Sequence, residues 1–161
     1  MPADYAAVAD VNRAAFGQDA EAILAARLRA EGYALVEMVA EYGNRIVGHI
    51  LFSVLEIEKG TAKRAAALGP LAVVPEMQRR GIGGELIMAG LERVRKAGVD
   101  LVLVLGHASY YPRFGFSSQH GLRVASPYRG AGDSWMAIEL TADALGDTGT
   151  AVRYPPPWSA V

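Results

Sequence analysis

Residues 66–105 constrain the fold of this chain more than any other stretch. An apolar run from Ala66 to Val74 stops at Pro75, Gly81, Gly83 and Gly84 follow, and a helical pattern begins at once. Across Arg79–Ala97 that pattern puts Ile82, Leu86, Ile87, Ala89, Gly90, Leu91 and Val94 on one stripe, and Gly98 ends it. Leu101-Val102-Leu103-Val104-Leu105 then runs without polar alternation, as a strand covered on both faces does. Strand, helix and strand make a βαβ unit, whose crossover is expected to be right-handed.

The flanking sequence adds antiparallel structure. Asp4 is placed to cap a helix reaching about Phe16, and Asp19 to open a second one through Ile23, Leu24, Arg27 and Leu28, ended by Gly32. Between Leu35 and Tyr42, Val36, Met38 and Ala40 alternate with Glu37 and Glu41. Gly43-Asn44 turns the chain, and Ile46 to Ile57 returns as a long strand, a strong hairpin pattern. A short helix is expected over Ala108–Phe114, with strands near Phe116–Val124 and Trp135–Leu140. From Gly146, with Pro155-Pro156-Pro157 and Trp158, an irregular extended tail is expected. No repeat or linker divides the chain, so residues 1–161 read as a single α+β domain with a mixed sheet.

Composition narrows the partners. With 16 basic and 17 acidic residues the net charge is −1, against the basic excess of broad nucleic-acid binders. The chain has no cysteine, which removes disulfides, thiolate nucleophiles and cysteine metal sites. His49, His107 and His120 lack metal-ligand spacing, so no metal is expected. No apolar stretch approaches the roughly 20 residues of a spanning helix, and no basic-then-apolar leader opens the chain. The expectation is a cytoplasmic protein with no membrane or nucleic-acid partner.

The glycine loop admits several readings. Glycines are turn residues, so the loop can be a plain strand-to-helix turn. A Rossmann site needs Gly-x-Gly-x-x-Gly and a later acidic residue, a spacing that Gly81, Gly83 and Gly84 do not meet. A Walker loop needs Gly-Lys-Ser/Thr, which is absent. What remains is a pyrophosphate cradle of another kind, set where a helix dipole is positive.

Gln78-Arg79-Arg80-Gly81-Ile82-Gly83 resembles the Gln/Arg-x-x-Gly-x-Gly/Ala acyl-CoA signature of the GNAT (GCN5-related N-acetyltransferase) superfamily. Leu71-Ala72-Val73-Val74-Pro75 is similar to the exit of that family's fourth strand, and Tyr111-Pro112-Arg113-Phe114-Gly115-Phe116 to its Tyr-x-x-x-Gly-Phe element. Together these cover most of residues 4–140. The Tyr-Tyr-Pro-Arg-Phe-Gly-Phe wording and Val152-Arg153-Tyr154-Pro155 resemble the bacterial YhbS-like branch in particular.

The resemblance implies acetyl-CoA as cosubstrate. Its pyrophosphate would sit on the N–H groups of Arg79 to Gly84, with Gly81 and Gly83 allowing close main-chain approach, and Gln78 and Ile82 belong to the same motif. Arg79 and Arg80 either add charge-assisted contacts or stay solvated. The strand edge at Leu71, Ala72 and Val73 would pair with the pantetheine arm, beside a strand pair that splays apart, and an N–H near Val73 would polarise the thioester carbonyl. Tyr111 is the implied general acid for the CoA sulfur; Tyr110 is its rival, and a packed core aromatic is the plain alternative.

No base is identifiable. Glu37, Glu41 and Glu76 are candidates that are as well explained by solvation or loop capping. His107, just past the strand end, is the catalytic candidate because an imidazole titrates near neutrality. Two departures stand out. Gly106-His107-Ala108-Ser109 lacks the asparagine many members carry, and the sequence opens at the first helix, so either the sheet lacks the family's usual first strand or the true start lies upstream. A bare sheet edge would invite a homodimer or cover by the proline-rich tail. The implied reaction moves acetyl to a small-molecule amine, or to an N-terminal or lysine amine of a peptide, by direct attack. A non-catalytic acyl-CoA sensor is the alternative. Asp19, Glu21, Tyr128, Arg129, Asp133 and Trp135 are candidate acceptor-pocket residues without a diagnostic cluster.

Overall fold

The computed structural model describes residues 2–161, apart from the side chain of residue 160. Two compact units divide the chain, the first made of residues up to Ser53, Gly69–Glu92 and Pro156–Val161, the second of Val54–Leu68 and Arg93–Pro155. Helices α1 (Tyr5–Phe16) and α2 (Ala20–Ala30) precede strands β1 (Ala34–Tyr42), β2 (Arg45–Lys59) and β3 (Ala65–Val73) and helix α3 (Ile82–Lys96). The division runs through β2, β3 and α3 and follows no linker.

In the first unit β1 and β2 form the expected hairpin, antiparallel from Tyr42↔Arg45 to Val36↔Phe52. Gly43 turns it in the left-handed region at φ 64°. One sheet face carries Leu51 against Leu24, Ala25 and Leu28 of α2, and Val47 against Val11 of α1. The other face meets α3, where Phe52 lies so close to Gly90 that a Cβ there would sit 2.3 Å from its ring. Gly90→Ala is therefore expected to destabilise the fold by about 1–3 kcal/mol through overpacking. Thermal melting checks this, and an unchanged midpoint would refute the contact. The stripe on α3 is narrower than its period suggests, since Ala89 is exposed while Leu86, Ile87, Gly90, Leu91 and Val94 are buried.

Neither aspartate caps its helix through its side chain. Asp4 and Asp19 both hold helical backbone angles in place of the extended ones a cap needs, and Asp19 pairs with Arg13 at 2.8 Å.

In the second unit the segment Ala65–Leu68 of β3 pairs in parallel with β4 (Leu101–Leu105), which confirms the strand–helix–strand step. Strand β6 (Trp135–Glu139) pairs antiparallel with β4 from Leu101↔Glu139 to Leu105↔Trp135. With β5 (Val124–Ala125) and β7 (Thr150–Arg153), the sheet order is β5-β7-β2-β3-β4-β6, with β1 beside β2, a mixed α+β arrangement as expected.

Two expectations fail here. Residues 116–124 are not a strand: Ser118–Leu122 forms a short helix, α4, ahead of the two-residue β5 (Val124–Ala125). Ser117 caps α4 by accepting the His120 N–H, and Gly121 packs backbone to backbone on Trp135, where a Cβ would lie 2.3 Å from the Trp135 carbonyl. The Trp135 indole N–H donates to the Gly121 carbonyl at 2.9 Å. The tail is not irregular either. Thr150–Arg153 forms β7, paired with β2 and β5, and Pro156–Ala160 is a 3-10 helix.

Candidate active site

Strand β3 outruns its parallel partner. The β3–β4 pairs stop at Leu68↔Val104, while β3 continues through Gly69, Pro70, Leu71 and Ala72 to Val73. The sequence explains the break: Gly69 holds φ 151°, outside the range of a regular strand, and Pro70 has no N–H to give a ladder. Beyond it, the Val74 N–H donates to the Val47 carbonyl at 2.9 Å, which ties the strand exit to β2.

The glycine loop follows within the same unit. The Gln78 side-chain amide donates to the Val73 carbonyl at 2.9 Å, folding the loop back on the strand it leaves. Arg79 sits at φ 64° and Gly81 at φ 84°, both left-handed. Alternation of this kind turns successive N–H groups toward one concave side. It also delays the helix, so α3 begins at Ile82 and not at Arg79. The first backbone bond closing α3 runs from the Glu85 N–H to the Gly81 carbonyl, so the N–H groups of Ile82, Gly83 and Gly84 stand ahead of the ladder. Arg79 and Arg80 are exposed beside them. For Gly81 the constraint is conformational, since a Cβ would meet nothing within 4 Å.

Within the second unit, β4 ends at Leu105, Gly106 follows, and the His107 carbonyl accepts the N–H groups of Tyr110 and Tyr111. A 3-10 helix, Tyr111–Phe114, replaces the longer helix expected from Ala108. The Tyr111 ring is 8% exposed and lies over Gly106, where a Cβ would come within 2.3 Å of it. It meets Phe116 and Tyr110 edge to face, at 5.7 and 5.2 Å between ring centres. Burial, and then the neighbouring Tyr110, push the Tyr111 phenol well above the ordinary tyrosine range. Burial raises Tyr110 as well, against the opposing charge of Arg113. His107 itself is exposed at the strand end.

The glutamates divide clearly. Glu41 is exposed, and exposed Glu76 pairs with Arg45 at 2.5 Å. Glu37 is part-buried, with 18% of its side chain exposed. Arg29 clamps both its oxygens at 2.9 and 2.7 Å, and His49 bonds Oε2 at 2.7 Å. Burial opposes its charge, but these donors prevail and hold the carboxyl at about 2.

His49 and Asn12, both fully buried, were not singled out by the sequence as a pair. The Asn12 amide donates to the Val8 carbonyl at 3.0 Å and faces His49 Nδ1 at 3.1 Å. Nδ1 is therefore the acceptor, and the Nε2–H donates to Glu37. The available signal was period two: Val47, His49 and Leu51 share one face of β2. Among the acceptor candidates, Trp135 is fully buried in a cluster with Tyr128 and Tyr154 and cannot line an open pocket.

Comparison with known proteins places these features. The uncharacterized N-acetyltransferase YjhQ of Escherichia coli (strain K12) is 38% identical over 153 residues, spanning 91% of this chain and 84% of its own length. The uncharacterized N-acetyltransferase YhbS of the same strain is 29% identical over 157 residues, spanning 96% and 92%. A crystal structure of E. coli YhbS with CoA superposes with a TM-score of 0.89 at 26% identity, covering 99% of this chain and 88% of that one. A GNAT acetyltransferase from Brucella melitensis with acetyl-CoA gives 0.79 at 31% identity, covering 98% and 94%. The acetyltransferase (GNAT) family profile matches residues 6–116. A βαβ step with a glycine-rich helix entry, a family match across most of the chain and relatives aligned nearly end to end agree: this chain belongs to the GNAT family of acetyltransferases.

Proposed function

We propose that this enzyme transfers an acetyl group from acetyl-CoA to a primary amine by direct attack. The observation that carries this is the β3 edge left unpaired by β4 beyond Leu68, running straight into the left-handed Arg79/Gly81 loop and the α3 N-terminus. A strand edge suits an amide-bearing arm, and a concave run of N–H groups at a helix start suits a pyrophosphate. Leu71, Ala72 and Val73 provide the edge. The N–H groups of Arg79 to Gly84 provide the anion seat, shaped by Gln78, while Arg79 and Arg80 add positive charge. CoA-bound and acetyl-CoA-bound relatives support the choice of ligand.

When bound, acetyl-CoA supplies an activated thioester. The chain's part is to hold the acyl carbonyl on an N–H of the Leu71–Val73 edge and to supply the Tyr111 Oη–H as the proton source for the departing sulfur. Burial keeps the Tyr111 phenol protonated, so its hydroxyl is a hydrogen-bond donor across the neutral range. His107 is the proposed proton acceptor for the incoming ammonium, directly or through water. The acceptor is a small-molecule or peptide amine.

Saturating acetyl-CoA is expected to raise the melting midpoint, and Gly81→Val, which forces a branched side chain into φ 84°, to weaken that response at least about tenfold in Kd. No stabilisation of the native protein at high acetyl-CoA concentration would defeat the reading. CoA release across a panel of primary amines then separates transfer from a binding-only domain, which stabilises without turnover.

A further inference from the structure

We propose that Trp158 is the wall that limits the length of the acyl group this enzyme accepts. The inference rests on the acyl-CoA reading above and adds a residue far away in sequence.

Gly69 is the first β3 residue past the last β3–β4 pair. An arm anchored at the Arg79–Gly84 loop and paired with Val73 to Leu71 runs back along β3, so its reactive end points to Pro70 and Gly69. Two strand residues give about 6–7 Å, enough for a thioester and a two-carbon acyl group. Over Gly69, on the sheet face that also carries Leu51 and α2, stands the indole of Trp158. A Cβ on Gly69 would lie 2.7 Å from Trp158 Cη2, so the ring edge rests directly on the glycine backbone.

The indole is held firmly. Its N–H donates at 3.0 Å to Oγ of Ser53, a fully buried serine on β2. Its ring packs against the cluster of Leu24, Ala25, Leu28 and Leu51. Such a ring is expensive to displace, so each added methylene meets a wall. A methylene that a closed pocket must reject changes affinity by roughly tenfold or more.

The test measures Kd by calorimetry for CoA, acetyl-CoA, butyryl-CoA and hexanoyl-CoA, on the native chain, Trp158→Ala, Trp158→Phe and Ser53→Ala. The native protein is expected to favour acetyl-CoA over hexanoyl-CoA at least about tenfold. Trp158→Ala is expected to close that gap to within about threefold by gaining affinity for the long chains, with CoA itself unchanged. Trp158→Phe and Ser53→Ala should fall between, and they carry the test if melting shows the alanine variant unfolded. A native protein indifferent to chain length, or variants that keep the native ratio, overturns the proposal while leaving the acyl-CoA reading intact. Failure of the native protein to bind CoA at all removes that reading and this one with it.

Discussion

Tyr111→Phe is expected to lower kcat about 10²–10⁴-fold while acetyl-CoA affinity stays within about twofold. Phenylalanine keeps the packing over Gly106 and against Phe116, so the loss isolates the hydroxyl. Tyr110→Phe is the control, with a loss under about threefold expected, because Tyr110 is the less buried of the two rings. A reversed pair of results would move the acid role to Tyr110. Burial raises the Tyr111 phenol above its ordinary value near 10. The proton to be donated is thus retained across the neutral and mildly alkaline range, and kcat should show no falling limb from this residue there. A limb below about pH 9 that disappears in Tyr111→Phe would contradict that assignment.

Glu37→Ala is expected to cost about 3 kcal/mol or more and to lower the melting midpoint by roughly 6–12 °C. Removing the carboxylate leaves Arg29 and the fully buried His49 without the acceptor each now bonds. Because the folded carboxyl sits near 2, below an ordinary value of about 4.3, the folded state gains from it above that ordinary value. The gain is lost as pH falls toward 2. Native protein should therefore lose stability through that window, and Glu37→Gln should show a flatter acid profile. At a temperature where Glu37→Gln is folded, kcat should change less than about fivefold, since Arg29 and His49 already occupy both carboxylate oxygens. A folded Glu37→Gln protein without turnover would make Glu37 the missing base.

The local patterns were readable wherever one face or one period decided the structure. The hairpin at Gly43-Asn44, the crossover from Ala66 to Leu105 and the glycine loop stand where alternation and spacing put them. Local reading failed where a distant group overruled it. Residues 116–124 look strand-like but form α4, because the Trp135 backbone and indole claim Gly121. The tail from Gly146 looks irregular but contains β7, because β2 offers an open edge at Glu56 and Ile57. Asp4 and Asp19 fail as caps for a local reason instead, since their own backbone angles are helical and not the extended ones a cap needs.

The candidate site divides the same way. The sequence by itself determined the glycine loop, the strand leading to it and the tyrosine of Tyr111-Pro112-Arg113-Phe114-Gly115-Phe116, because each depends on neighbours within a few residues. Tertiary structure alone decided that Glu37 is locked to Arg29 and His49, and that Trp158 rests on Gly69. Those contacts join residues 8 to 89 positions apart. Periodicity says which face a side chain occupies, and only packing says which distant group meets it there.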